Sequence, residues 1–449
     1  MTQLIVEEQH PARKSYYSST TLVLIAISTA YYSRVVCAAA HLPSFLNFLH
    51  FAVVPLTCTV VMATTKLKDR QQLKIAWSLL TGMFILFTIE IASSLLNDAG
   101  PINAVFHFLM FAEPFMLLLV IVCIPSSPSR TKQLKTWLIY SAFINLGLAF
   151  IQYPLIASGH LNAKGLDATD GTAGVFFPSG AGNYVTTTVA IYFGLYYLGE
   201  KTVSLWLRYA TLFAAVVLFK ITDSKQVLAA LLIGWLGVII SNSKRVGRTL
   251  AYIILFVLVI WGFFWCVENL NLEFLEAFKN YADKQGAYGP DGAATQIKTT
   301  PFWMIPNYYT SPFNWLLGLG PGHTVGRLGG WLIKENWAIL GPLGATIHPL
   351  SSEMWAITHR NWIAMESTIF SPFFGWAGLW GDLGFLGLAA YLYLGWLVWH
   401  ALCPDNLSKF LLLSVAGFGF IFTQMEEPGF MLFSAVLIGI RWQERRTVP

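Results

Sequence analysis

Four cationic side chains, Lys220, Lys225, Arg327 and Arg360, stand in polar stretches of an otherwise strongly apolar chain. Such groups suit a phosphate-bearing ligand, because arginine makes bidentate contacts to phosphate and lysine supplies a point charge. His359, beside Arg360 and Asn361, can take a proton near neutral pH and is the candidate general base. His323 and His348 compete for that role, but their Gly- and Pro-rich surroundings read as structural turns. Trp355, Asn361, Trp362 and Glu366 are the candidate contacts to a glycan or an acceptor. Each has a plainer reading. The cations can pair with Asp223, Glu353 or Glu366, or reach lipid headgroups. The Trp and Tyr residues can form an interfacial belt instead of stacking on sugar rings.

No metal and no cofactor is expected. The polar loops carry no DxD or HExxH, and no cysteine has CxxC or CxxH spacing. Asp167 with Asp170, and Glu426 with Glu427, specify no particular ion. Gly318-Leu-Gly-Pro-Gly322 allows close backbone approach, yet no GK[ST] follows, so it is not a nucleotide loop.

Helices in a membrane must position these groups. The 449 residues are 55% hydrophobic and 11% charged, with a mean hydropathy of +0.58. Soluble domains carry about 25% charged residues. Continuous apolar runs of about 20 residues read as transmembrane helices, since backbone groups in lipid must be satisfied internally. The candidate spans are 20–40, 44–64, 75–96, 102–124, 136–157, 184–199, 203–219, 226–241, 249–267, 372–399, 408–424 and 428–441. The expected fold is all-α, a polytopic membrane protein of about twelve spans. It divides into helices one to nine over residues 1–267, one large polar loop over 268–371, and three more helices over 372–449.

Most of the 28 Lys and Arg residues fall in alternate short segments, from Arg13 and Lys14 through Lys66 and Lys244 to Arg445 and Arg446. The positive-inside rule then puts both termini in the cytoplasm and the large loop outside. Net charge of +5 reports this topology, and nucleic-acid binding is not expected. Cys37-Ala-Ala-Ala40 reads as the end of an uncleaved first span, and all five cysteines read as small core residues. Within the loop, 268–285 reads as an amphipathic surface helix and 286–312 as irregular. Glu90 and Glu113 lie mid-span and are the best support for a transporter, which would want charged groups there.

An ordered set of motifs carries a resemblance. It comprises Asp167-Ala-Thr-Asp-Gly-Thr172 with Gly182-Asn183, Asp223-Ser-Lys-Gln226, Leu317-Gly-Leu-Gly-Pro-Gly322, His359-Arg-Asn361 and Gly381-Asp-Leu-Gly-Phe-Leu-Gly387. From about residue 165 to 441 the chain resembles the O-antigen ligase and polymerase superfamily of bacterial surface-polysaccharide enzymes. The resemblance implies a glycosyltransferase of the bacterial inner membrane. Its donor would be a polyprenyl-pyrophosphate-linked oligosaccharide and its second substrate a glycan acceptor. Transfer would be metal-independent and inverting, with periplasmic cations holding the pyrophosphate and a loop histidine activating the acceptor hydroxyl. Lys225 stands where the family often has arginine, and the interval from His359 to Gly384 is long. Both departures favour a polymerase of repeat units over a ligase to lipid or protein. A lipid-oligosaccharide flippase is the alternative from another class.

Overall fold

The computed structural model describes residues 18–65, 69–125, 127–243, 246–270, 289–366 and 368–447. Among these the elements are helices and turns, with no strand. The long helices are α1 (Ser19–Tyr31), α2 (Ser33–Ala39), α3 (His50–Thr64), α4 (Arg70–Leu96), α5 (Pro101–Cys123), α6 (Pro128–Ala157), α7 (Gly182–Leu198), α8 (Leu205–Ile221), α9 (Lys225–Asn242) and α10 (Val246–Asn269). After the polar stretch, which contains α11 (Ala293–Asn307) and α12 (Pro349–Arg360), come α13 (Gly375–Leu402), α14 (Asn406–Ile421) and α15 (Pro428–Thr447).

Helix is present in each of the twelve expected stretches. Six helices are long and apolar enough to cross a membrane, and seven if α1 and α2 are one span. The protein is therefore a helical membrane protein. Helices α7, α8 and α14 are only 17, 17 and 16 residues long. The first expected span is broken at Tyr32, where α1 and α2 meet at 59°. No Pro or Gly marks that break. It is held by tertiary contacts, with the Tyr32 hydroxyl donating to Ser141 Oγ at 2.6 Å.

Local chemistry explains where the helices begin. Asp69 caps α4 through the Gln71 N–H at 2.8 Å, Pro101 and Pro128 open α5 and α6, and Asp405 forms a capping box with Ser408. Helix α5 is the most buried of the spanning helices, and α3, α4 and α15 pack around it.

Connecting segments separate to two ends of the bundle. At one end Arg446 pairs with Asp69, Arg441 with Asp405, and Lys135 with Glu200 and Glu444. At the other, Arg34 reaches Glu427 at 3.1 Å and the Gly100 N–H donates to Thr346 Oγ1 at 2.9 Å. The polar stretch belongs to this second, loop-bearing end. Four cysteines are buried, Cys266 is half-buried, and all five are free.

Much of the polar stretch is folded. Residues 293–307 form a helix where an irregular segment was expected, despite Pro301 and Pro306 inside it. The backbone bonds lost to proline are offset by packing. Ile305 joins a small core with Leu319, Val325, Leu350, Met354 and Phe373, and Lys298 ties the helix to the Ser371 and Ile421 carbonyls at 3.0 and 2.6 Å. The proposed surface helix over 268–285, with Lys279 and Lys284, lies almost wholly outside the described residues.

Candidate functional site

Two glycine motifs, some sixty residues apart, meet face to face. The Leu319 N–H donates to the Gly381 carbonyl at 2.8 Å and the Gly320 N–H to the Asp382 carbonyl at 3.0 Å. Gly318 and Gly384 have φ of 70° and 64°, conformations that favour glycine. A Cβ on either would strike the backbone of the other segment. Helices α4 and α5 hold the same turn: Asn97 Nδ2 donates to the Gly318 carbonyl at 3.2 Å, and Asn103 Nδ2 to the Pro321 carbonyl at 3.0 Å.

Beneath the turn runs a buried row. His107 Nδ1 lies 2.7 Å from Glu90 Oε1, and His107 Nε2 lies 3.1 Å from Asp382 Oδ2. The Asp382 carboxylate also accepts the Gly322 and Thr324 N–H groups at 3.0 and 2.8 Å. This one side chain therefore joins the glycine turn to α5 and α13. Glu113, the other mid-span acid, meets His50 Nδ1 at 2.8 Å.

Arg327 follows the turn and is directed at the segment between α14 and α15. Its Nη1 donates to the Glu426 carbonyl at 2.9 Å, its N–H donates to Glu426 Oε2 at 2.6 Å, and its guanidinium pairs with Glu427. Glu427 also binds Arg34, so two arginines share one carboxylate. Burial opposes ionisation of Glu427, but Arg327 and Arg34 hold it below the usual carboxylate range. Burial pushes the Glu426 carboxyl up to about 8. An apolar groove of about 480 Å³ lies at the break between α1 and α2. Leu24, Ile25, Val36, Leu42, Leu46 and Leu49 line it.

The other expected cations do not join this pair directly. Lys225 binds Asp223 at 2.8 Å in the turn after α8, and Lys220 is exposed at the end of that helix. The first two turns of α7 separate this turn from Arg327. On one side Thr187 Oγ1 meets Thr222 Oγ1 at 2.7 Å, and on the other Gln424 Nε2 donates to Thr188 Oγ1 at 3.1 Å. Arg360 is exposed in the last turn of α12. Glu353, a possible partner for it, instead accepts the Tyr308 hydroxyl at 2.6 Å.

Hydrogen bonding distinguishes the three loop histidines. His323 is buried, with Nδ1 against the Leu319 carbonyl and Nε2 against Thr346 Oγ1, both at 2.8 Å. His348 caps α12 by accepting the Leu350 N–H on Nδ1 at 3.2 Å. Burial and the neighbouring His323 push His348 down to about 4. His359 is exposed, and its Nδ1 lies 2.9 Å from the Trp355 carbonyl. A carbonyl only accepts, so Nδ1 carries the hydrogen and Nε2 of the neutral ring carries the lone pair.

Trp355 packs against His359 with ring centroids 4.2 Å apart, and the aromatic row continues through Phe373 to Trp331 in the turn after Arg327. Asn361 caps the following helical turn by accepting the Ile363 N–H at 3.0 Å. Trp362 is 56% exposed. The Glu366 side chain lies outside the described residues.

Sequence reasoning passed over Arg34, His107, Asp382 and Lys298 as site residues. Burial pushes Lys298 down to about 7, its side-chain nitrogen meeting the Ser371 and Ile421 carbonyls and the Phe374 ring at 4.4 Å. Arg34 had one visible signal, a cation outside the alternating basic segments. Among the described residues no three His, Cys, Asp or Glu side chains group as metal ligands do. A scan of the chain against protein-family models finds no match, and neither does a search of curated proteins.

Proposed function

We propose that this protein is a membrane glycosyltransferase that joins polyprenyl-pyrophosphate-linked glycan units at the periplasmic face of a bacterial inner membrane. In this reading the chain crosses about twelve times, both termini are cytoplasmic, and the loop-bearing end faces the periplasm. The observation that carries it is the Arg34–Glu427–Arg327 cluster, together with an apolar groove lined in part by Ser33, Val36 and Cys37 of the helix that bears Arg34. A polyprenyl pyrophosphate needs both features, an apolar channel for the chain and a cationic seat for the diphosphate. The arginines would stabilise the charge that develops on the departing pyrophosphate, the largest electrostatic contribution to such a transfer. Lys220 and Arg360 add positive charge at the same end, where Lys225 is paired with Asp223. His359 Nε2 would take the acceptor hydroxyl proton, with Trp355, Asn361, Trp362 and Glu366 around the acceptor sugar.

The test is transfer by purified protein in lipid vesicles, given a polyprenyl-pyrophosphate-linked oligosaccharide. A ladder of regular increments on a gel is the expected result, and EDTA should leave its rate unchanged. Loss of the ladder in EDTA, with recovery on adding one metal, would overturn the metal-free chemistry. A single-step shift of an added acceptor would make the protein a ligase. Transport of the lipid-linked glycan is the second reading, favoured by the buried Glu90–His107 and Glu113–His50 pairs. Movement of an unaltered donor between leaflets would support it.

A further inference from the structure

Two carboxylate oxygens in the interior have no hydrogen-bond partner among the described residues, Glu90 Oε2 and Glu426 Oε1. Their residues are 0% and 1% exposed. A buried, unpaired carboxylate oxygen is strongly disfavoured unless a proton or a cation neutralises it. Both acids act on the same imidazole, that of His107.

Counting hydrogens assigns charge to the rest of the row. The two contacts of His107, at 2.7 and 3.1 Å, each need a hydrogen between nitrogen and oxygen. Asp382 accepts two backbone N–H groups besides its contact with His107. With both ring nitrogens donating, His107 and Asp382 offset each other. Glu426 then faces them from the segment between α14 and α15, with Arg327 on its other side and the Tyr391 hydroxyl of α13 nearby. Glu427 is beside it, bound to Arg327 and Arg34 and facing His50, which is paired with Glu113.

We propose that Glu426, closing the row Glu90–His107–Asp382, is a proton-binding site that exchanges with the loop-bearing side and sets the net charge of the arginine cluster. With the proton on Glu426, Arg34 and Arg327 face one carboxylate and keep one positive charge in excess. Without it they face two, and the excess is gone. A carboxyl pushed up to about 8 by burial holds its proton at neutral pH and releases it as pH rises past that value. The site therefore attracts anions below that pH and loses the attraction above it.

The loop-bearing side is the nearer source of protons. The row lies about 10 Å below the loop-bearing ends of α4, α5 and α13, at 1.5 Å per helical residue. Deeper in the bundle the same helices present buried Leu79, Met83, Leu86, Leu118 and Leu394, with Glu113, paired with His50, and Tyr391 among them. This proposal does not depend on the glycosyltransferase reading.

The experiment is pH-difference infrared spectroscopy of the full chain in lipid. It should show a protonated-carboxyl band that disappears with a midpoint near pH 8. Glu426→Gln should remove this titrating band, and His359→Ala should leave it. Absence of a titrating carboxyl in that range, or its survival in Glu426→Gln, would overturn the proposal. A second measurement uses the unmodified chain, in case the variant does not fold. A dicyclohexylcarbodiimide adduct, mapped by mass spectrometry, should form on Glu426 below pH about 8 and fade above it. Labelling that is absent or equal on both sides would also overturn the site.

Discussion

Replacing His359 with alanine should slow glycan transfer by about 10²–10⁴-fold, the usual contribution of a positioned general base. The loss should fall on turnover, with donor affinity unchanged, because the cationic cluster at Arg34 and Arg327 is built from other elements. The reason for choosing His359 is the occupancy of its ring. His323 has both nitrogens engaged and His348 spends Nδ1 as a helix cap, whereas His359 donates through Nδ1 and leaves Nε2 toward solvent. The side chain is exposed, so its removal leaves no cavity and no unpaired buried donor. Unfolding behaviour should match the parent protein. Full activity in the variant would remove His359 as the base, and lost activity with lost stability would assign it a packing role.

The second large effect is on stability. Asp382→Ala should destabilise the protein by about 3–5 kcal/mol, the usual cost of removing one partner from a buried charged pair. Three donors lose their acceptor at once: His107 Nε2, Gly322 N–H and Thr324 N–H. The His107 ring would keep only Glu90. Asp382→Asn should fall between alanine and the parent, since its amide oxygen still accepts a backbone N–H. Thermal unfolding in detergent reads the difference. A shift of less than about 1 kcal/mol would mean that Asn97, Asn103 and Asn314 hold the glycine turn without help.

Hydropathy located the helices because the apolar runs are continuous, although only six or seven of the helices are long and apolar enough to cross a membrane. Local chemistry did less for the polar stretch. Pro301 and Pro306 argued against a helix over 293–307, and only the burial of Ile305 and the anchoring of Lys298 explain why one forms. The break at Tyr32 has no local marker, since it depends on Ser141, over a hundred residues away. Grouping four cations by their shared end of the bundle overlooked how acids divide them. Asp223 takes Lys225 and Glu427 takes Arg327, so chain partners, not proximity to the membrane, decide which cations act together. One buried pair was legible in hindsight. Glu90 lies seven residues before Asn97 and His107 six after Pro101, so antiparallel helices joined by a short turn place them at the same depth.

The tilt between α1 and α2 has a kinetic consequence. The groove it opens has outward walls, with Ile25, Val36, Leu42 and Leu49 all more than 40% exposed. On the proposed function, a donor entering there would arrive by sideways diffusion within one leaflet and would never cross water. Its supply is then a surface density, and doubling the vesicles at constant composition adds donor without raising the encounter rate per enzyme. Turnover should saturate with the mole fraction of donor in the bilayer and ignore its bulk concentration. Assays in which vesicles are diluted with donor-free lipid, at fixed total donor, would show the rate falling in step with that fraction.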